Sequence, residues 1–400
     1  MADFGGSELE AFRAEARDWI SANFPASLKG KPNPMMREER TKPTADQEAW
    51  RKAMGEKGWG TPTWPKEYGG GGLTQAQGRV IQQELARAGA YNPIGGMGVM
   101  MFGPTLLEYG TEAQKQEHIP PIVRGELQWC QGYSEPGAGS DLASLQTRAE
   151  DKGDHFLING QKIWTSGAQF ADWCFCLVRT DTTKKHEGIS FVLIDMHQPG
   201  VEVRPIKLIA GNSPFCETFF TNAIALKKNL VGPLNGGWTI GKRLLQHERS
   251  GISGGGGFGG GRPLEDIAKQ YVGTDDRGRI ADHDLRQRVV QNAIDLRAFQ
   301  LTAMRAMAEA KGNQNPSAAT SIMKNAATST LQQRAELTLE IMGSQGLGWE
   351  GEGFTAEELG AVRNWLGGKA TTIYGGSQEI QSNIISKRIL GLPDLTQSSK

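Results

Sequence analysis

Two short polar segments of this chain carry residue types that could hold a flat or phosphorylated ligand. They are residues 132–141, with the sequence GYSEPGAGSD, and residues 162–167, with the sequence KIWTSG. Closely spaced glycines let a backbone approach a ligand, and Trp164 offers a flat apolar face. The hydroxyls of Ser134 and Ser166 can bond to the edge of a ring. Taken alone, this spacing predicts only a polar turn followed by a strand.

A carboxylate beside an arginine follows later in the chain, at Glu248 and Arg249. A glutamate can accept a proton from carbon when burial raises its pKa. The ordinary alternative is an acid on a helix surface, paired with Arg249 or Arg243, because most glutamates are exposed. A lone glutamate carries little specificity, so these residues by themselves favour the ordinary alternative.

Three motifs, at residues 129–141, 164–166 and 373–381 (IYGGSQEIQ), occur in the same order and at comparable separations in the acyl-CoA dehydrogenases. The chain resembles this family over nearly its whole length, and three ordered motifs are harder to obtain by chance than one glycine-rich loop. The resemblance implies an FAD-dependent reaction that removes a proton from the carbon next to a thioester carbonyl and a hydride from the adjacent carbon. The implied product is a trans-2-enoyl-CoA, with the hydride accepted by flavin N5.

The resemblance also assigns residues to the flavin. Gln131, Tyr133 and Ser134 match positions at the pyrimidine edge of the ring, while Trp164 and Ser166 match positions that pack on the ring and bond near N5. Many relatives carry threonine where this chain has these two serines, and the hydroxyl survives that exchange. The full set of implied cofactor-binding residues is Gln131, Tyr133, Ser134, Gly139, Ser140, Trp164, Thr165, Ser166, Glu340, Gly343, Ser344, Ser377 and Glu379.

The implied proton acceptor has moved relative to the commonest version of the family. There the base directly follows the tyrosine of the C-terminal motif, where this chain has Gly375 and no side chain to take a proton. In the long-chain and isovaleryl branches the base instead precedes an arginine on the helix after the middle domain, and Glu248 with Arg249 fits that pattern. We expect Glu248 to abstract the α-proton and the Gly375 N–H to donate to the thioester oxygen. The implied substrate contacts are Ser140, Arg249 and Gly376.

Two departures concern the part of the cofactor site that relatives share between subunits. Relatives place an arginine and a phenylalanine before a glycine where residues 271–279 read YVGTDDRGR, and a glutamine before two glycines where residues 340–346 read EIMGSQG. An acid at Glu340 would repel a pyrophosphate unless a cation offsets it. We therefore expect a homotetramer, or a heterotetramer in which a partner chain completes this site.

Two other functions stay open. One is a flavin oxidase or monooxygenase on the same fold, which oxygen would reoxidise rapidly. The other is a non-catalytic subunit of a heteromeric acyl-CoA dehydrogenase. For the dehydrogenase, the resemblance implies an acyl-CoA substrate and an electron-transferring flavoprotein as electron acceptor.

A glycine tract at residues 254–261, interrupted only by Phe258, bears on the substrate. It lacks a following Lys-Ser or Lys-Thr pair and follows no apolar strand, which disfavours a phosphate-binding loop. We favour continuation of the helix that carries Glu248, at a cost of up to about 1 kcal/mol per glycine. Small residues beside the acyl chain would suit a wide, branched or ring-bearing acyl group.

The elements that must position these residues follow from hydrophobic periodicity. Helical spacing runs from Ser7 to about Arg124, strand-like runs follow to about Leu234, and long helices return at residues 285–310 and 318–341. The pair Asn159 and Gly160 predicts a tight turn between two strands. We expect an N-terminal α-helical domain (residues 1–124), a middle β-barrel or β-sheet domain (125–235) and a C-terminal four-helix bundle (236–400), an α+β arrangement that the resemblance identifies as the acyl-CoA dehydrogenase fold.

Composition excludes several classes of function. The 44 lysines and arginines balance the 44 aspartates and glutamates, which argues against a nucleic-acid partner. The sequence contains no run of eighteen apolar residues, so we expect no membrane span. The first twenty residues resemble neither a secretory signal nor a transit peptide, so we expect a cytoplasmic protein. The four cysteines and six histidines show no metal-binding spacing, and we expect buried reduced thiols.

Overall fold

The computed structural model describes residues 7–31, 33, 42–253, 262–310 and 320–393, and the side chains of residues 247–253 lie outside the described part. Five helices come first, a sheet follows, and six helices complete the described chain, which confirms the predicted order of elements. The helices are α1 (Ser7–Asn23), α2 (Ala45–Glu56), α3 (Gln75–Ala88), α4 (Gly103–Tyr109), α5 (Glu112–Val123), α6 (Gly237–Ser253), α7 (Leu264–Val272), α8 (His283–Ala310), α9 (Thr320–Met342), α10 (Ala356–Gly368) and α11 (Gln378–Ile384). The strands are β1 (Trp129–Gly132), β2 (Arg148–Asp151), β3 (His155–Ser166), β4 (Trp173–Arg179), β5 (Ile189–Asp195), β6 (Val201–Ile206), β7 (Phe215–Leu226) and β8 (Leu230–Val231).

Four of the helices begin at the same local signal. Thr44, Thr74, Thr111 and Thr355 precede α2, α3, α5 and α10, and each hydroxyl accepts a hydrogen bond from the backbone three residues later. The glutamine or glutamate at that later position bonds back to the threonine N–H, which completes a capping box. These caps satisfy N–H groups that a helix leaves unpaired at its start.

The sheet has the strand order β6-β7-β3-β2-β4-β5-β8, and β1 pairs in parallel with β4. Strands β4 and β5 are buried on both faces. One face, with Phe175 and Phe191, packs into a core shared with the helices, and the other, with Cys176 and Val192, packs against β3 and β7. These strands therefore read as nearly continuous apolar runs.

The tight turn predicted at Asn159 and Gly160 is wrong, because β3 runs through both residues without a break. The pair lies opposite a bulge in β7, where Asn222 has a left-handed φ of 55° and donates its N–H to the Asn159 side chain at 2.9 Å. A Cβ on Gly160 would lie 2.6 Å from the Thr147 Cα. Close packing of two backbones therefore explains this glycine.

The chain divides into two compact units, and each is described by itself below. The first contains residues 1–206 and 213–247, and the second contains residues 207–212 and 248–400. The first helices and the sheet share the first unit, so the predicted boundaries at 124/125 and 235/236 stay predictions. In the second unit, α7, α8 and α9 meet around a core that includes Ile267, Val289 and Leu337.

The described residues offer neither a membrane-spanning helix nor a cluster of metal ligands. None of the helices in the described ranges is long and apolar enough to cross a membrane. Among the same residues, no group of three histidine, cysteine, aspartate or glutamate side chains could hold a metal ion. The prediction of buried reduced thiols is confirmed, since Cys130, Cys174, Cys176 and Cys216 are all free and buried.

Candidate active site

A bulge near the end of β3 turns Trp164 outward. Between Lys162 and Thr165 the chain advances three residues while its partner β7 advances two, so β3 contains one extra residue. Trp164 takes up this residue with a left-handed φ of 62°, a conformation that costs a side chain of this size on the order of 1–3 kcal/mol. The indole is 52% exposed and meets the Phe215 ring edge-on. A strained, exposed aromatic residue beside a polar turn is typical of a ligand site.

The bulge interrupts the usual alternation of side chains, so Lys162 and Thr165 are both buried while Trp164 is exposed. Thr165 is fully buried, and its hydroxyl bonds to the Cys216 carbonyl and the Thr218 hydroxyl, each at 2.8 Å. Any contact of Thr165 with a cofactor would therefore have to come from its backbone. Ser166 is half-buried.

The glycine-rich segment forms a turn that lies against this bulge. Glu135 and Ala138 exchange two backbone hydrogen bonds of 3.0 Å, and the Ile163 N–H donates to the Ser134 carbonyl at 2.9 Å. Ser134 is half-buried, and a Cβ on Gly139 would have no atom within 4 Å. The turn thus presents a hydroxyl and an open glycine edge beside the exposed indole.

A buried ion pair lies beneath the turn. Lys162 is 0% exposed, and its Nζ donates to Glu135 Oε1 at 2.8 Å and to the Tyr133 carbonyl at 3.1 Å. Glu135 also accepts the backbone N–H of Gln146 at 2.6 Å and that of Thr147 at 2.8 Å. Burial by itself raises the pKa of Glu135, but the Lys162 ammonium and the hydrogen bonds to the carboxylate lower this pKa by more, so the net pKa lies below the ordinary value.

Two further cations hold the loops that follow the turn. The guanidinium of Arg179 is mostly buried and donates to the carbonyls of Ala143 and Leu145. Lys185 Nζ lies 2.9 Å from Asp141 Oδ2 at the end of the glycine-rich segment. Ser140, an implied substrate contact, is exposed between the turn and Asp141.

Helix α6 carries the predicted base. Its first turns pack on the sheet, where Ile240 and Leu244 are buried in the same core as Leu177. The helix continues through residues 247–249, as the sequence predicts for Glu248 and Arg249. Their side chains, and the glycine tract at 254–261, lie outside the described residues, so the roles assigned to them stay predictions.

In the second unit, the C-terminal motif forms a turn with two left-handed glycines. Gly375 has φ 67° and Gly376 has φ 88°, conformations that favour glycine. The Gly376 carbonyl accepts a hydrogen bond from Lys324 Nζ at 2.5 Å, and the Gly375 carbonyl accepts one from Gln381 at 3.2 Å. Lys324 is 7% exposed.

The remaining residues of that motif begin helix α11. Ser377 is the N-cap, and its hydroxyl accepts the N–H of Ile380 at 3.4 Å. Glu379 is exposed in the first turn, and its hydrogen bond with Ser377 is the main cause that lowers the pKa of its carboxyl group. The structure therefore places both predicted cofactor residues directly after the Gly375 turn.

Glu340, which stands where relatives carry a glutamine, has a cation beside it. Both carboxylate oxygens accept hydrogen bonds from the Arg288 guanidinium at 2.6 Å, and this contact lowers the pKa of Glu340. Gly343 follows with a left-handed φ of 58°, and a Cβ there would have no atom within 4 Å, while Ser344 is exposed. The Arg288 and Glu340 side chains together carry no net charge.

The segment that lacks the family's phenylalanine forms a tight turn around Asp275. This carboxylate accepts the backbone N–H groups of Arg277 and Arg279, and its hydrogen bond with the Arg279 side chain is the main cause that lowers its pKa to about 2. Both arginines are exposed at the surface of the second unit. The Arg279 guanidinium is thus engaged by Asp275, and Arg277 is exposed two residues before it.

Comparison with known proteins matches three consecutive segments of the chain. The family profiles described as acyl-CoA dehydrogenase N-terminal, middle and C-terminal domains match residues 6–126, 130–223 and 235–390. Acyl-CoA dehydrogenase IpdE1 of Mycolicibacterium smegmatis is 37% identical over an alignment 401 residues long, which covers 96% of this chain and 98% of that protein. The chain belongs to the acyl-CoA dehydrogenase family. It is therefore an FAD-binding oxidoreductase that dehydrogenates acyl-CoA thioesters, as the sequence predicts.

Solved structures of acyl-CoA dehydrogenases share the fold and confirm the predicted fold class. The structure described as the Tcur3481-Tcur3483 steroid ACAD aligns with a TM-score of 0.77 at 31% identity, covering 97% of this chain and 98% of that chain. The ChsE4-ChsE5 complex from Mycobacterium tuberculosis aligns with a TM-score of 0.74 at 27% identity, covering 98% of this chain and 100% of that chain.

The residues of the first unit fit the FAD that members of the family bind. An exposed indole can pack on a flat ring, half-buried hydroxyls can bond to its edge, and Gly139 leaves room for close approach. Sequence reasoning missed four contributors, Glu135, Lys162, Arg179 and Arg288. A lysine in the middle of an apolar strand pattern was the one available signal, because its charge requires a buried partner.

Proposed function

We propose that this acyl-CoA dehydrogenase forms a trans-2-enoyl-CoA, with Glu248 as the base that takes the α-proton. The observation that carries the proposal is the turn at Gly375. This position has no side chain and a left-handed φ, so no carboxylate is available where the commonest relatives carry one. Glu248 lies on α6, the helix that follows the sheet, and directly precedes an arginine.

Each part of the chain then has a separate task. When bound, FAD accepts the β-hydride at N5. Glu248 takes the α-proton, and the Gly375 N–H donates to the thioester oxygen, which stabilises the negative charge that develops there. Because a backbone donor needs no side chain, moving the base away from position 375 leaves this contact intact. Ser140, Arg249 and Gly376 are the proposed substrate contacts.

The deciding experiment replaces the base and keeps the cofactor. Glu248→Gln should purify yellow with bound flavin and lose at least about a thousandfold in turnover, which corresponds to roughly 4 kcal/mol. Glu265→Gln is the matched control, because Glu265 is an exposed acid on the next helix and pairs with Lys269. An active Glu248→Gln protein would refute the assignment.

For the substrate, we propose an acyl group that carries fused rings. Support comes from the similarity to the protein described as a steroid ACAD and from the small residues of the glycine tract after Glu248. Anaerobic bleaching of the flavin by straight, branched and steroid-ring acyl-CoA thioesters tests this. Faster bleaching by straight-chain thioesters than by ring-bearing ones would contradict it.

We also propose that an electron-transferring flavoprotein reoxidises the reduced enzyme in the cytoplasm. The family resemblance supports this acceptor over oxygen. Reduced enzyme should therefore persist in air-saturated buffer and be reoxidised rapidly once the flavoprotein is added. Rapid reoxidation by oxygen alone would favour the oxidase or monooxygenase alternative.

A tetramer, homomeric or heteromeric, is the proposed assembly. Helix α8 has an exposed apolar stripe at helical spacing, formed by Val290, Ile294, Leu301 and Met304, and such a stripe on a long helix is typical of an interface. The heteromeric form is favoured by the similarity to structures whose descriptions name two proteins. Light scattering of the purified chain, alone and after co-expression with a second acyl-CoA dehydrogenase chain, distinguishes the two. An Ile294→Asp variant should dissociate either form.

A further inference from the structure

We propose that Lys162 and Glu135 are positioning residues for the flavin, acting as a buried clamp between the turn that carries Ser134 and the bulge that presents Trp164. The inference rests on the proposed function, because these two segments are the ones assigned to the flavin ring. Neither side chain of the pair is exposed enough to touch a ligand itself. Both act through their neighbours.

The clamp joins segments from different elements. Lys162 lies on β3, two residues before Trp164, and its ammonium bonds to the carbonyl of Tyr133 and the carboxylate of Glu135. These residues flank Ser134, whose own carbonyl accepts the Ile163 N–H. Three hydrogen bonds therefore tie residues 133–135 to residues 162–163, and moving either segment breaks them.

Because of the bulge, these hydrogen bonds determine the direction in which the Trp164 side chain points. A regular strand would place residues 162 and 164 on the same face, and the indole would then point inward beside the ammonium. The extra residue allows Lys162 and Thr165 both to face inward while Trp164 faces outward. The clamp fixes the first end of the bulge, and the two hydrogen bonds of the Thr165 hydroxyl fix the second.

Stability alone gives a poor account of the pair. Taking two charges out of water costs about as much as their attraction returns, and apolar replacements of similar volume are often neutral or stabilising. The same pair does fix a single geometry, because both lysine hydrogen bonds and both carboxylate oxygens are already committed. A buried ion pair placed directly under two ligand-facing segments is therefore better explained by positioning.

The test separates positioning from stability with a neutral double variant. Lys162→Met combined with Glu135→Gln removes both charges and leaves no unpaired buried ion, whereas Lys162→Met alone leaves the carboxylate unpaired. Glu135→Asp keeps the charge and withdraws it by one carbon, so it moves the clamp without abolishing it. For each protein, the midpoint of urea unfolding of the apoprotein, the FAD dissociation constant and the visible flavin spectrum are measured.

Positioning predicts that the double variant regains part of the unfolding midpoint lost by Lys162→Met, because a side-chain amide accepts only one of the two backbone N–H groups that the carboxylate held. It should nevertheless bind FAD at least tenfold more weakly than the wild type. Its flavin absorption bands should be less resolved and closer to those of free FAD. Glu135→Asp should bind FAD several-fold more weakly at a nearly unchanged midpoint. Glu84→Gln is the control, because Glu84 is equally buried and paired with Arg17 but lies among the first helices, and its FAD affinity should stay within twofold of the wild type.

Wild-type affinity and spectrum in the double variant and in Glu135→Asp would overturn the proposal. So would an FAD affinity that simply follows the unfolding midpoint across all variants, because that is the signature of a structural pair. A wild-type protein that binds no FAD is a distinguishable failure, since it would overturn the assignment of these segments to the flavin and the positioning role with it.

Discussion

Two buried lysines, one in each compact unit, bond to carbonyl groups of turns that we propose face the ligand, and their surroundings differ. Lys162 is completely buried and has a carboxylate at 2.8 Å in addition to the Tyr133 carbonyl. Lys324 bonds to the Gly376 carbonyl, and the acid that feels its charge, Glu379, is exposed. The comparison indicates that the fully buried lysine of the sheet is paired with a buried carboxylate, whereas the lysine beside the C-terminal turn acts on the pKa of an exposed carboxyl group.

The largest expected effect is on the stability of the first unit. Lys162→Met should lower the free energy of unfolding by about 3–5 kcal/mol, because it leaves the Glu135 carboxylate buried without a counter-charge. Urea unfolding followed by circular dichroism measures this loss. A loss below about 1 kcal/mol would mean that Glu135 finds another partner, and the contrast between the two lysines would disappear.

Lys324→Met should cost less, on the order of 1–3 kcal/mol, because it removes a hydrogen bond to a backbone carbonyl. Its clearer effect should be on catalysis, since the turn that it holds carries the Gly375 N–H proposed for the thioester oxygen. We expect a lower kcat with FAD still bound, measured by steady-state dye reduction. Lost FAD binding with an unchanged kcat for the remaining holoenzyme would reverse the roles assigned to the two lysines.

Acid should weaken the clamp of Lys162 and Glu135 in a defined pH range. Because the net pKa of Glu135 is lowered in the folded protein, its ionisation stabilises the fold above the unfolded value near 4.5, and this contribution is lost as pH falls through the lower folded pKa. The free energy of unfolding should thus fall more steeply below pH 4.5 in the wild type than in the variant Lys162→Met/Glu135→Gln. Glu265→Gln should keep the wild-type slope, and equal slopes in all three proteins would contradict the assignment.

The smallest effect is expected at the half-exposed pair of the second unit. Arg288→Gln should change the free energy of unfolding by less than about 1 kcal/mol, because exposed ion pairs contribute little. It should nevertheless weaken FAD binding a few-fold, since Glu340 then has an uncompensated charge, and Arg288→Gln/Glu340→Gln should recover the affinity. No recovery in the double variant would place Glu340 away from the pyrophosphate.

The sequence predicts the elements well where periodicity and caps act locally. The long helices at 285–310 and 318–341 are observed at His283–Ala310 and Thr320–Met342, and the strand-like runs predicted up to about Leu234 are observed as strands β1 to β8. The turn predicted at Asn159 and Gly160 is wrong because the irregularity that this pair accommodates lies in another strand. The extra residue lies in β7, more than sixty positions away, and no pattern around Gly160 reveals it.

The candidate site is also predictable only where its residues act within a short segment. Motif matching finds Ser134, Trp164 and Gly375, whose roles depend on residue type in a short segment. It misses the ion pair of Glu135 with Lys162, because its members are separated by 27 residues and meet only once β3 lies against the turn. Arg288 and Glu340 are 52 residues apart and meet across two helices. Charge compensation over such separations is a property of the folded chain.

The single extra residue in β3 also limits how this site could be transplanted or aligned. Deleting one position between Lys162 and Thr165 would restore an ordinary pleat, but it would remove either the Trp164 indole or the Ile163 N–H that bonds to the Ser134 carbonyl. Every other motif residue would remain, yet either the exposed indole or its connection to the turn at Ser134 would be gone. When homologous chains are aligned or chimeras are designed, a gap inside this four-residue window is therefore a stronger warning of lost cofactor binding than several substitutions outside it.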